Sequence, residues 1–146
     1  MPQDYIVRMI QQMAAMLAGI IAQRQRGELS AAAASLEEKC LAHVGLPLAV
    51  VKHASPETLA DLLAIGGDLR FVRSIALAEL LIQDAEISVL RGSPFTAVAS
   101  YQNALRLLSD AIPVLDADEK IHYQRKLDVV ATRLGDLGAI PTNELP

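Results

Sequence analysis

Apolar residues recur along this chain at alternating steps of four and three, the spacing that lays a stripe down one side of an α-helix. Ile6, Ile10, Met13, Leu17 and Ile20 form the first such seam, and Met9, Met16 and Ile21 widen it. Asp4 is placed to cap the start and Gly27 to end the helix, which is therefore expected from residue 4 to about residue 26. A second seam of Leu29, Ala33, Leu36, Cys40 and Val44 predicts a helix over 28–43, stopped by Gly45-Leu46-Pro47. The link between the two is short enough to require antiparallel packing, so residues 5–44 read as a helical hairpin.

The middle of the chain is punctuated more densely. The apolar run 48–52 fits helix, turn or extended chain equally well. Ser55-Pro56-Glu57-Thr58 is a helix start, with Ser to cap, Pro in the first turn and an acid at the positive end. The short helix that follows, over 56–65, is anchored by Leu59, Leu62 and Leu63, ends at Gly66-Gly67, and leaves Asp68 to cap the next.

From residue 69 to about 91, Phe71, Ile75, Ala78, Ile82, Ala85 and Val89 form one seam, while Leu77, Leu80, Leu81, Ile87 and Leu90 occupy other sides. Apolar residues on several sides predict a helix packed between neighbours. Gly92-Ser93-Pro94 breaks it, and a partner helix over 95–112 carries Ala97, Tyr101, Ala104, Leu108 and Ala111 before Pro113 stops it. Residues 69–112 thus make a second hairpin. Asp116 and Glu119 form a capping pair for a closing helix over 117–134, marked by Tyr123, Leu127, Val130 and Leu134, with Leu137 just beyond. Gly135, Gly138 and Pro141 then loosen the chain into a tail over 141–146, expected to fray. The expectation is one all-α domain over 1–140, with five or six helices in antiparallel hairpins.

Small residues at the touching points of two helices, with an aromatic on the second, are features of tetratricopeptide repeats, and the hairpin at 69–112 resembles one. Ala85 stands at the small position of the first helix, and Ala97, Tyr101 and Ala104 at the small, aromatic and small positions of the second. Ala85 replaces the usual Gly, Ser88 stands where Tyr is common, and Pro113 comes late; the resemblance covers about a third of the chain. The opening Asp4-Tyr5-Ile6-Val7-Arg8-Met9-Ile10, with the later unit from Leu77-Ala78-Glu79-Leu80-Leu81 to Ala104-Leu105, is also similar to a family of small bacterial proteins of unknown function with a tetratricopeptide-like fold. That resemblance implies a right-handed superhelix of hairpins; it implies no activity.

Composition narrows the picture further. The chain is 52% hydrophobic yet only 3% aromatic and lacks Trp, so its core is built from Leu, Ile, Val, Ala and Met. A net charge of -4, with Arg8, Arg24 and Arg26 as its only basic cluster, argues against tracking a phosphate backbone; no nucleic-acid partner is expected. Met13 to Ala22 is too short to span a membrane, and Asp4 and Gln11-Gln12 do not suit a signal peptide. The single cysteine, Cys40, forms no internal disulfide, consistent with a cytoplasmic setting and no membrane partner.

Candidate chemistry is sparse. Cys40 with His43 three residues on lacks an orienting third group, and Cys40 falls on an apolar stripe. His43, His53 and His122 are scattered, Glu37-Glu38 read as a solvated face, and Gly66-Gly67-Asp68 lacks the lysine of a phosphate loop. Asp110, Asp116, Asp118 and Glu119 do not alternate as calcium ligands do, and Tyr101 and Tyr123 sit at core spacing. No catalytic, cofactor or metal residues are assigned. The expected function is a non-catalytic protein–protein interaction module. It is expected to form a homodimer, because the seam of the first helix needs cover from other helices or from a second copy. The rival is a small-molecule binder or enzyme with a pocket between hairpins near residues 45–67.

Overall fold

A computed structural model describes residues 3–64 and 70–138. Among them every regular element is helical: α1 Gln3–Gln25, α2 Leu29–Val44, α3 Leu48–His53, α4 Pro56–Ala64, α5 Arg70–Leu90, α6 Pro94–Ala111 and α7 Ala117–Asp136, with a 3-10 turn at Ile112–Val114 between the last two. The expected five or six helices become seven among the described residues, because the run at 48–52 is a short helix of its own. Asp4 lies inside α1, not ahead of it. Gly66, Gly67, Asp68 and the tail over 141–146 fall outside the described residues.

The punctuation acts as its chemistry requires. Gly27, Gly45 and Gly92 adopt positive φ of 79°, 84° and 79° and end α1, α2 and α5. Ser55 Oγ accepts from the Thr58 amide at 3.1 Å, and an Asp116 carboxylate oxygen accepts from the Glu119 amide at 3.0 Å. Ser93 occupies the residue before α6 but makes no capping bond through its side chain. Gly135 is carried within the last turn of α7, and Gly138 takes the left-handed conformation beyond it.

α5 is the hub. It packs on α1, α2, α4 and α6, and is buried nearly all round from Ser74 to Ser88. Met13, Leu17 and Ile20 of α1 are buried against α2 and α5, while Ile10 is half-buried at the edge of the helix; the Ile6 side chain lies outside those described. On α2 the buried stripe is Ala32, Leu36, Cys40 and Val44; Leu29 and Ala33 are half-buried, a rotation of one residue in the first turns. Leu48, Val51, Leu59 and Leu63 bring α3 and α4 into the same core. A second cluster joins α5, α6 and α7 through Ala85, Ala97, Tyr101, Leu105, Val130 and Leu134. Ala85 and Ala97 let the backbones approach while Tyr101 fills the space beside them.

Candidate functional site

The core helix α5 is not purely apolar. Glu79, Gln83, Asp84 and Ser88 lie on it, each under a tenth exposed, and most are tied to other helices by side-chain bonds. Glu79 binds Lys126 of α7 through both oxygens, at 2.6 and 2.7 Å. Gln83 Oε1 accepts from Arg24 Nε of α1 at 3.0 Å, and Glu86 accepts from Arg133 of α7 at 3.1 Å. Glu79, Gln83 and Glu86 are spaced four and three apart and so share one side of α5. That side looks out between α1 and α7. Residues later in α5 meet residues later in α7, so these two helices run the same way.

On another side, Asp84 accepts from Ser100 Oγ of α6 at 2.7 Å and pairs with Lys52 of α3 at 3.3 Å. Asn103 of α6 donates to the Ala54 carbonyl at 3.3 Å, which fixes the end of α3. Within residues 45–67 the described helices α3 and α4 pack on α6, with Leu48, Val51, Leu59 and Leu63 buried. These bonds hold polar groups that burial alone would penalise. The sequence reading missed them because it weighed α5 only by its apolar positions; a four-and-three stripe of Glu and Gln on an encircled helix was the available signal.

The outward side of α5 is the floor of a trough of about 440 Å³ between α1 and α7. Its α1 wall is Ile10, Met13, Ala14, Leu17 and Ile21. Its α7 wall is Asp118, Glu119, His122, Tyr123 and Lys126, and Glu79 lies at the bottom. The His122 ring meets Tyr123 edge-on at 4.7 Å. One wall is therefore apolar and the other charged. Burial, and then the nearby charges of Asp116 and Asp118, raise the Glu119 carboxyl above its ordinary value. Burial and then Glu79 raise the Tyr123 phenol in the same sense.

Most of the residues singled out for chemistry do not converge. Cys40 is fully buried, donates its thiol hydrogen to the Leu46 carbonyl at 3.2 Å, and is pushed by burial up to about 11. A thiol in that state is a poor nucleophile. His43 is exposed and borders a small cleft beside Met9, Val72 and Arg73, while Cys40 faces the core. His53, Glu37 and Glu38 are exposed. Asp110 pairs with Arg106 at 3.1 Å, and Asp116 caps α7. Only Asp118, Glu119, His122 and Tyr123 come together, in the trough wall. Among the described residues no group of three or more His, Cys, Asp or Glu is placed to hold a metal ion. No helix among them is long and apolar enough to cross a membrane. Comparison with protein-family models, curated proteins and solved structures finds no match.

Proposed function

We propose that this chain is a non-catalytic protein-interaction domain with a tetratricopeptide-like superhelix. In this reading α1–α2 and α5–α6 are the repeated hairpins, α7 closes the array, and α1, α5 and α7 line its inner face. The small bacterial helical proteins that the opening segment resembles are its expected relatives, and the lone buried thiol fits a reducing, cytoplasmic setting.

The observation that carries the reading is the trough. Glu79 on its floor is tied by an ion pair to Lys126 of α7, and its α1 wall brings apolar side chains to its edge. A preformed channel with one apolar and one charged wall suits a polypeptide segment, which presents both characters along its length. The rival reading, a small-molecule binder or enzyme, would draw on the Asp118, Glu119, His122 and Tyr123 side chains of the α7 wall.

The test is recovery of tagged protein from its native cells, comparing wild type with Ala14→Glu. Ala14 is an exposed position on the trough wall, so the charge does not disturb the core. A polypeptide, or the untagged copy of the same chain, should be recovered in stoichiometric amount with wild type and be lost with the variant. Recovery of neither, or equal recovery with both, contradicts the reading.

A further inference from the structure

Methionine is unevenly spread in this chain. Beyond Met1 there are three, Met9, Met13 and Met16, and all lie in the first half of α1. Steps of four and three put them on one side of the helix, over an axial span of about 10 Å. His43 reaches the same place from the last turn of α2. These four side chains line one cleft of about 50 Å³, with Val72 and Ala76 of α5 beneath it. Met13 is buried, Met9 and Met16 are half-buried and His43 is exposed, so the group runs from the core out to solvent.

Packing alone does not account for the group. Methionine serves in cores as an adaptable filler of irregular gaps, yet here a gap remains where all three meet. The rest of the core does without it; the largest fully buried side chains are those of Tyr, Ile, Leu and Val. The cleft is far below the roughly 300 Å³ or more of a pocket for an organic ligand. It has room for a single ion.

The donors are soft and uncharged, three thioether sulfurs and one imidazole. Three rotatable bonds let each methionine lean its sulfur along the helix toward a common point. Thioethers select Cu(I), and imidazole serves copper as well. Hard divalent ions are poorly served, because no Asp, Glu or Cys is among the described residues that line the cleft. Arg73 adds a positive charge at its edge, with the guanidinium turned to the Val44 carbonyl, to which it donates. An ion of single charge held by neutral ligands suffers least from such a neighbour. Cys40, the other soft group of α2, is directed elsewhere, to the Leu46 carbonyl.

We infer that Met9, Met13, Met16 and His43 form a binding site for one Cu(I) ion. The ion is taken up in that oxidation state, so no electron moves. The cleft lies about a quarter-turn round α1 from the trough, and the two share only Met13. The site therefore stands whether or not a polypeptide lies in the trough.

The test is an anaerobic titration of the full chain against the coloured complex of Cu(I) with bicinchoninate. Wild type should withdraw one equivalent of Cu(I), and Cys40→Ala should do the same. Met9→Leu and Met16→Leu keep the side-chain volume, and circular dichroism should show both folded. Each should weaken binding by about tenfold or more, the loss that even an outer-shell partner of a metal site brings. In protein carrying ¹³C-methyl methionine, Ag(I), a redox-inert ion of the same charge and softness, should shift the Met9, Met13 and Met16 signals together and saturate at one equivalent. No uptake by wild type overturns the inference. So do uptake unchanged in the Met9→Leu, Met16→Leu double variant, uptake lost in Cys40→Ala, and methyl signals indifferent to Ag(I).

Discussion

Lys126 Nζ lies 2.6 Å from one carboxylate oxygen of Glu79 and 2.7 Å from the other, so a single ammonium closes α7 onto α5. The Glu79 side chain is 9% exposed and that of Lys126 30%, so the pair is screened by water from one side only. α7 packs on α6, shares an apolar cluster with α6 and α5, and is tied to α5 by this pair and by Arg133 with Glu86. Removing one partner leaves a buried charge; removing both does not. Lys126→Ala should cost about 2 kcal/mol, less than for a fully buried pair. Glu79→Leu with Lys126→Met should recover most of that loss. Urea unfolding of the three variants checks this, and a double variant weaker than Lys126→Ala would refute it.

Ser100 and Asp84 form the corresponding tie between α6 and α5. Ser100 is fully buried, and its hydroxyl donates to Asp84 at 2.7 Å. Ser100→Ala should cost about 1–2 kcal/mol, since Asp84 keeps Lys52 but loses a buried donor. Thermal unfolding with circular dichroism measures it; an unchanged midpoint would mean that the hydroxyl contributes nothing.

Tyr101 is different. Its ring fills the space between Ala85 and Ala97, and its buried hydroxyl lies near Glu86 without a well-formed hydrogen bond; burial, then the charge and proximity of Glu86, push the phenol upward. Tyr101→Phe should therefore be neutral or stabilising by up to about 1 kcal/mol, whereas Tyr101→Ala should cost about 3–5 kcal/mol through the cavity left behind. Equilibrium unfolding of both variants separates the ring from its oxygen.

Glu119 gives a pH dependence of definite sign. Its folded-state carboxyl is raised above the ordinary 4.5, first by burial and then by Asp116 and Asp118. The folded chain then holds this proton more tightly than the unfolded chain does. The resulting stabilisation is complete below the unfolded value and fades as pH rises through the raised folded value. Relative to Glu119→Gln, wild type should lose stability across the window that opens near 4.5 and stay level above it. Denaturant titrations at stepped pH report the difference, and a rise across that window would contradict the assignment.

Cys40 should behave as a packing residue. With its thiol held near 11 by burial, it should react with aromatic disulfide reagents at neutral pH only as fast as the domain opens. Rapid labelling in urea and slow labelling in buffer are expected; fast labelling of the native protein would restore it as a nucleophile.

Much of this architecture is legible in the residues. The four-and-three seams mark α1, α5, α6 and α7, and Gly27, Gly45 and Gly92 mark where helices end, because those features act locally. α3 is six residues long, too short for its period to be distinguished from a strand or turn. The Glu79–Lys126 and Gln83–Arg24 ties join residues 47 and 59 apart in sequence, so no local pattern shows which helix each polar group meets. The seam of α1 is plain in the sequence, and α2 and α5 cover its Met13, Leu17 and Ile20.

Whether protein covers the trough in the cell is tested most directly by a photoreactive amino acid placed at Ala14, on the α1 wall, or at Glu38, on the exposed side of α2. Irradiation should give a discrete protein adduct from Ala14, at twice the chain's mass if a second copy lies there, and none from Glu38. No adduct from Ala14, or equal adducts from both positions, would contradict the interaction reading.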